Sequence, residues 1–169
     1  MSVTNLIVFF LFTLWKSYFF VFVNIKSKKI LGVDYGDLTI GLAIYDVMTD
    51  FCYPYKTIFR NKSNILRKSI REIVDIISGE NIDEVVIGLP LNADGSEGER
   101  VEKVKAFATM LASRLSGIEI NFQDERYSTI EAENILRERN IKKSEEKKYI
   151  DQVAAEIILN DYMKERKRV

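Results

Sequence analysis

The sequence contains no histidine and a single cysteine, Cys52. Without histidine, the chain cannot form a Ser-His-Asp triad, use a histidine general base or bind zinc through histidine. A single cysteine excludes an intrachain disulfide and a cysteine-based zinc site, and it is typical of a reducing cytosol. Any chemistry must therefore depend on carboxylates, hydroxyls, lysine, arginine, backbone groups or bound metal ions, in a protein that we expect to be cytoplasmic.

The chain also lacks an excess of charge of either sign, because 25 lysines and arginines are matched by 25 aspartates and glutamates. This balance excludes a strongly basic chain that binds nucleic acid through bulk charge. Residues 1–29 contain four lysines and no acid, which leaves 21 basic and 25 acidic residues in 30–169. Any binding of nucleic acid must use local basic patches, at 100–105, 142–148 and 164–168, and should be sensitive to salt.

Residues 1–29 form a leader whose composition differs from the rest. Its segment 6–23 is almost continuously apolar, and about twenty apolar residues can span a bilayer. Three interpretations remain open: translated sequence upstream of the true start, a membrane anchor that keeps the next domain on the cytoplasmic side, or a buried core helix. All three place the chemistry in one domain over 30–169, and a membrane is a partner only if the leader is real.

The first part of this domain predicts three strands, over 30–35, 39–45 and 51–59. Their connections are short, which favours an antiparallel meander. Pro54 lies inside the third strand, and proline cannot donate a ladder hydrogen bond. We therefore expect an edge strand or a bulge at this position.

The remainder of the domain alternates helices with strands. Apolar residues at helical spacing predict a helix that ends at Gly79 and another that ends at Gly117. A Ser-x-x-Glu capping box predicts the start of a third helix, and a fourth follows near the end of the chain. The later elements are strands over 84–89 and 118–123 and helices over 128–139 and about 145–165. The predicted fold is α/β, a mixed five-stranded sheet of three antiparallel and two α-connected strands, flanked by helices.

Acidic side chains follow two of the strands and begin the last helix. Asp34 ends the first strand, where a carboxylate either caps a turn or meets substrate and metal. Asp124 and Glu125 follow the fifth strand and should point to opposite faces, so only one can face Asp34, and we favour Asp124. Arg126 is a partner for either acid or a contact for nucleic acid. Asp151 lies beside an apolar helix face, where a carboxylate is costly unless it is paired or binds a metal. The alternative interpretation is an aspartate near the start of a helix, where the helix dipole stabilises its negative charge.

A loop with two glycines precedes the second helix and contains Asn92, Gly95 and Gly98. Backbone N–H groups in such a loop can form an anion-binding nest at a helix start, although a plain flexible loop has the same composition. Arg100 and Lys103 follow at once and are candidate contacts for a phosphate backbone.

Four segments together resemble the motif blocks of the bacterial YqgF/RuvX family: ILGVDYGDLTIGLAIYD, VVIGLPLNADGSEGERVEKVKAFA, DERYST and DQVAAEIIL. The resemblance covers about 30–165, and the block order agrees. Members are described as Holliday-junction-resolvase-like proteins and as nucleases that process the end of pre-16S ribosomal RNA. The chain departs from the family pattern in its leader, at Asp37-Leu38, which has no basic residue nearby, at Glu99 and at Tyr127.

The resemblance implies a ribonuclease H-like fold and metal-dependent hydrolysis of phosphodiester bonds. Carried over by position, it implies that Asp34, Asp151 and one of Asp124 and Glu125 bind two Mg²⁺ or Mn²⁺ ions. The expected substrate is the 5′ end of pre-16S rRNA. A resolvase of branched DNA and a catalytically silent nucleic-acid-binding factor remain alternatives, and a homodimer is a further expectation.

Overall fold

The computed structural model describes residues 27–60, 66–126, 132, 134–136, 138 and 143–168. The strands are β1 (Lys29–Tyr35), β2 (Thr39–Asp46), β3 (Phe51–Phe59), β4 (Ile82–Leu89) and β5 (Glu119–Asp124), and the helices are α1 (Leu66–Glu80), α2 (Glu99–Ala112) and α3 (Lys143–Arg166). Residues 1–26 and the predicted capping box lie outside the described residues, so the interpretations of both stay predictions. Among the helices in the described ranges, none is long and apolar enough to cross a membrane.

The strands form one sheet in the order β3-β2-β1-β4-β5. β1 pairs antiparallel with β2, and β2 pairs antiparallel with β3, so the meander is confirmed. β4 pairs parallel with β1, and β5 pairs parallel with β4, because a helix precedes each of these strands and returns the chain to the same edge. The carboxyl ends of β1, β4 and β5 therefore meet at one edge of the sheet, and the mixed α/β sheet predicted from the sequence is confirmed.

Local departures from the predicted elements have simple causes. β3 is an edge strand with a register shift where Ala43 faces Pro54, as the missing N–H of proline predicts. The first helix continues through Gly79 and ends at Asn81, whose φ of 56° turns the chain into the left-handed region that asparagine tolerates. The prediction that Gly79 stops this helix is therefore wrong.

Helices cover both faces of the sheet. On one face α1 and α2 pack on the strands and form a cluster that includes Val33, Ile73 and Phe107. On the other face α3 packs on the strands through Ile158 and Leu159. Alternate residues of a strand point to opposite faces, so β1 contributes side chains to both clusters.

A buried acid fixes the carboxyl-terminal half of α3 to the sheet. Glu84 of β4 is only 1% exposed. Its carboxylate lies 2.7 Å from Nζ of Lys28 and 2.9 Å from Arg166, and the hydroxyl of Tyr162 donates to it at 2.6 Å. Burial alone would raise the pKa of Glu84, but hydrogen bonds from these three groups lower it to about 2. Groups of the described residues thus compensate the buried charge, and one of them, Lys28, belongs to the segment 1–29 that precedes the predicted domain.

Gly32 allows α3 to approach the sheet closely, and a side chain at this position should destabilise the fold. A Cβ on Gly32 would lie 2.5 Å from Cγ of Leu159 and 2.8 Å from the carbonyl oxygen of Ala155. We expect Gly32→Ala to lower the free energy of unfolding by about 1–3 kcal/mol, because overpacking strains a well-packed core. Urea unfolding measures this loss. Gly79→Ala is the matched control, since nothing lies within 4 Å of its Cβ, and it should leave stability unchanged or raise it.

Candidate active site

Asp34 lies at the carboxyl end of the central strand, on the face that α3 covers. It is paired in register with Gly41 of β2, while the preceding residue pairs with Ile87, which places Gly88 of β4 at the same level on the other side. Asp34 is therefore flanked across the sheet by two residues without side chains. The space above each of these glycines is taken by another acidic residue.

Asp151 occupies the space above Gly41. A Cβ on this glycine would lie 1.9 Å from the carbonyl oxygen of Asp151 and 2.8 Å from its Cβ, so α3 crosses β2 in direct contact with the backbone. Thr39, two residues earlier in β2, donates a hydrogen bond to the Asp151 carboxylate. The next residue, Gln152, donates to the hydroxyl of Thr57 at 3.0 Å. The amino-terminal half of α3 is thus held against the edge where Asp34 lies.

Glu125 occupies the space above Gly88. Its backbone N–H donates to the carbonyl oxygen of Leu89 at 3.2 Å, which keeps the chain next to β4 after β5 has ended. A Cβ on Gly88 would lie 1.9 Å from Oε2 of Glu125. This oxygen is buried and has no hydrogen-bond partner in the described residues. An unpaired buried carboxylate oxygen is costly, and no side chain of the described residues satisfies this one.

The three carboxyl groups resist ionisation. Burial first and the Asp151 carboxylate second raise the pKa of Asp34, Arg100 lowers it, and the net result is a pKa of about 7. Burial also raises the pKa of Glu125 to about 8, with Asp34 as the second cause and Arg100 again in opposition. Burial raises the pKa of Asp151 as well, and the hydrogen bond from Thr39 lowers it. The protein therefore concentrates acidic groups here, and among the described residues the guanidinium of Arg100 offsets them in part.

Asp124 points away from this cluster. Its carboxylate accepts hydrogen bonds from the side chain and backbone of Arg126, with an ion-pair distance of 2.7 Å. Burial is the largest single influence on the pKa of Asp124 and raises it, but the side-chain, backbone and charge contacts with Arg126 together lower it below its usual value. The two adjacent acids do face different ways, as the sequence predicts. The preference for Asp124 over Glu125 is not supported by this geometry, because Asp124 sits at the more exposed position and has its own cationic partner.

The glycine loop is closed by hydrogen bonds of its own. The backbone N–H of Asn92 donates to the Ser96 carbonyl, that of Gly95 donates to the Asn92 carbonyl, and that of Ser96 donates to the Asp94 carboxylate. These three N–H groups are therefore engaged within the loop and do not form an anion-binding nest, while contact of Asn92 and Gly95 with nucleic acid stays a prediction. Gly98 is the N-cap of α2 and makes no side-chain cap, so the helix start itself remains accessible to an anion.

The basic side chains near the site differ in their partners. Lys103 forms an exposed ion pair with Glu99 at 3.1 Å, and Arg126 is engaged with Asp124. Arg100 is the cation that acts on both Asp34 and Glu125. Among the predicted nucleic-acid contacts, Arg100 is therefore the one placed next to the acidic cluster.

Sequence reasoning missed the glycines and the threonine that shape the site. Gly41 and Gly88 admit two acids from other elements, and Thr39 orients one of them. A glycine inside a strand often marks the close approach of another backbone, so the two glycines carried a readable signal. The sequence around these two glycines does not indicate which other element approaches them.

A mixed sheet with β1 at its centre and acids at the carboxyl end of that strand defines a ribonuclease H-like fold with an acidic candidate site. The fowlpox virus Holliday junction resolvase has the same fold, with a TM-score of 0.52, 14% identity, and coverage of 81% of this chain and 98% of that one. RuvC of T. thermophilus, in complex with a Holliday junction substrate, has a TM-score of 0.51 and 11% identity, and covers 81% of this chain and 95% of its own.

The chain belongs to the RuvX family, whose model, described as Holliday junction resolvase, matches residues 28–165. A relative from Carboxydothermus hydrogenoformans is 42% identical over 135 residues, which cover 80% of this chain and 95% of the relative. One from Lachnospira eligens is 36% identical over 140 residues, which cover 83% of this chain and 99% of the relative. Both bear the name "Putative pre-16S rRNA nuclease".

The buried acids predict an unusual dependence of stability on pH. Because the folded-state pKa values of Asp34 and Glu125 are raised above 3.8 and 4.5, their contribution is fully present below those values and is lost as pH rises through about 7 to 8. In EDTA, the free energy of unfolding of the wild type should therefore fall between pH 5 and 8.5.

The Asp34→Asn variant should reduce this fall by about 1 kcal/mol or more, since one pKa unit corresponds to about 1.4 kcal/mol. Denaturant unfolding at several pH values measures the slope. Asp124→Asn is the control, because the pKa of Asp124 itself is lowered; it should flatten the curve much less than Asp34→Asn, since Asp124 is the smallest of the causes that raise the pKa of Glu125. Equal slopes for Asp34→Asn and the wild type would show that Asp34 is not a perturbed carboxyl.

Proposed function

We propose that the protein is a divalent-cation-dependent nuclease that hydrolyses phosphodiester bonds in structured RNA, at the 5′ end of pre-16S rRNA. The observation that carries this proposal is the meeting of Asp34, Glu125 and Asp151 at the carboxyl edge of a ribonuclease H-like sheet. The family and the names of its relatives supply the substrate. A cytoplasmic location and a homodimer remain predictions.

The acidic cluster fits Mg²⁺ or Mn²⁺. Oxygen ligands are what these ions prefer, and Mg²⁺ uses few carboxylates and keeps several waters. The orphaned Oε2 of Glu125 supports a cluster that is short of positive charge, as do the pKa values of Asp34 and Glu125, which burial raises first and a neighbouring acid second. Among the described residues, no three acidic, histidine or cysteine side chains converge as a ready-made metal site. The proposed ligands are therefore Asp34, Glu125 and Asp151, which would draw together around an ion.

The residues of the chain have distinct roles in this proposal. A bound divalent ion would activate the attacking water and stabilise charge on the leaving oxygen. Glu125 and Asp151 would hold their oxygens on either side of Asp34, positioned by the contacts over the two flanking glycines. Arg100, at the start of α2, would bind a phosphate oxygen of the substrate next to the cluster and orient it. No proton transfer to histidine is required.

A resolvase of branched DNA is the second candidate, and the description of the matching family model favours it. The two functions share the same acids and differ in how the substrate is recognised, since only RNA offers a 2′-hydroxyl. A silent binding factor is less well supported, because all three carboxylates are present and buried where a cation would be needed.

Cleavage assays on variants with single substitutions test the proposal. Asp34→Asn, Glu125→Gln and Asp151→Asn should each lower single-turnover cleavage roughly 100-fold or more, because stabilisation of the transition state by a bound ion is worth several kcal/mol. The assay compares an RNA that carries the pre-16S 5′ end with a four-way DNA junction, each with Mg²⁺ or Mn²⁺. Faster cleavage of the DNA junction than of the RNA would favour the second candidate function, a resolvase of branched DNA.

Asp124→Asn is the matched control for Glu125→Gln, since it removes a neighbouring carboxylate that faces Arg126. We expect it to reduce cleavage less than about tenfold. Wild-type rates in both Asp34→Asn and Asp151→Asn would contradict the nuclease proposal and favour a binding role.

A further inference from the structure

Phe59 is an exposed aromatic residue beside the acidic cluster. It is the last residue of the edge strand β3, and 61% of its surface is exposed. Singly exposed apolar side chains are common on protein surfaces, so it is the position of Phe59 next to the candidate active site that makes it a candidate contact for substrate. The proposed function does not yet use this residue.

The side chain of Phe59 lies on the same face of the sheet as the acids. Thr57, two residues earlier, points toward α3 and accepts a hydrogen bond from Gln152, and residues two apart in a strand share a face. Phe59 also pairs in register with Thr39, whose side chain donates to Asp151. Two independent contacts therefore place Phe59 at the rim of the site.

The distance between Asp34 and Phe59 suits a bound nucleic-acid strand that contacts both residues through neighbouring nucleotides. Phe59 lies two strands away from Asp34 and two residues further along, which corresponds to about 12 Å between their Cα atoms. A nucleic acid whose phosphate lay over the acids would therefore bring a neighbouring nucleotide to Phe59. A base at that position would meet the exposed aromatic ring of Phe59.

The backbone under Phe59 is held in place. The N–H of Arg60 donates to the carbonyl oxygen of Leu38 at 2.7 Å, and Nη1 of Arg60 donates to Gly36 at 2.9 Å. The guanidinium of Arg60 also lies over the ring of Tyr35, 5.0 Å from its centroid. These contacts tie the end of β3 to the turn that follows Asp34, so the position of Phe59 relative to the acids is fixed before any substrate arrives.

We propose that Phe59 is a stacking platform for an unpaired base of the RNA substrate, next to the phosphate that is cleaved. Every base has a π-face, so stacking on an aromatic side chain requires an unstacked base and is tolerant of sequence. A base inside a duplex is not available for this contact, and sequence-tolerant recognition of loops and single-stranded ends uses such platforms. The inference rests on the proposed function and adds a preference for cleavage where paired RNA meets single-stranded RNA.

The test uses the full chain and an RNA hairpin with a single-stranded extension, in EDTA so that binding is measured without cleavage. The extension carries 2-aminopurine at each unpaired position in turn, and its fluorescence reports stacking. The variants are Phe59→Ala, Phe59→Tyr and, as the matched control, Phe51→Ala, which removes an equally exposed phenylalanine (61%) at the other end of β3. Thermal unfolding of each variant checks that it is folded.

For the wild type we expect quenching at one unpaired position near the duplex. Phe59→Ala should lose this quenching and raise Kd about 5- to 100-fold, because base–aromatic stacking is worth about 1–3 kcal/mol. Phe59→Tyr should keep the quenching, and Phe51→Ala should bind like the wild type. An abasic nucleotide at the quenched position should weaken wild-type binding and have little further effect on Phe59→Ala.

Equal Kd values for Phe59→Ala and Phe51→Ala, or quenching that survives in Phe59→Ala, would overturn the inference. The outcome is separate from that of the nuclease proposal, because binding and stacking are read without catalysis. A protein that stacks the base through Phe59 but never cleaves RNA would keep this inference and remove the nuclease function. A protein that cleaves RNA, and whose RNA binding is the same in Phe59→Ala as in the wild type, would keep the nuclease function and remove this inference.

Discussion

The site depends on the close approach of α3 to the sheet. Gly32, Gly41 and Gly88 all lie on the face that carries Asp34, and a Cβ on any of them would collide with a neighbouring group. Gly32 and Gly41 bring α3 onto the strands, and this contact delivers Asp151 to the centre of the sheet edge. Gly88 leaves room for Glu125. Asp34, Asp151 and Glu125 come from distant parts of the chain. They meet because the residues that flank Asp34 in the two neighbouring strands are glycines.

The two ends of this face handle buried negative charge in opposite ways. At one end, burial would raise the pKa of Glu84, but Lys28, Tyr162 and Arg166 hold it at about 2. At the other end, burial and then the Asp151 carboxylate raise the pKa of Asp34, which stands at about 7, and Arg100 is the cation within the described residues that opposes this shift. A cluster of buried acids without a full set of cationic partners among the described residues supports the proposal that a divalent cation binds at the second place. The first arrangement stabilises the domain, and the second is suited to binding a ligand.

The sequence predicts the sheet well because its signals are local. Strand alternation, short turns and Pro54 sufficed for the meander and its bulge, and all are confirmed. Gly79 misled because glycine is tolerated within a helix whose apolar face is buried, and Asn81 supplies the real stop. The choice between Asp124 and Glu125 could not be made from the sequence, because it depends on Arg126 pairing with one acid and on the open space above Gly88.

Counting the protons released when Mg²⁺ binds tests the central claim most directly. If Asp34 and Glu125 are the ligands, their raised pKa values mean that protons occupy the site near neutral pH and must leave when the ion enters. Calorimetric titration at pH 7, in buffers of different ionisation enthalpy, should show net proton release that disappears by about pH 9.5 and is smaller in Glu125→Gln. Binding of Mg²⁺ without proton release at pH 7, or with the same release in Glu125→Gln, would contradict the account.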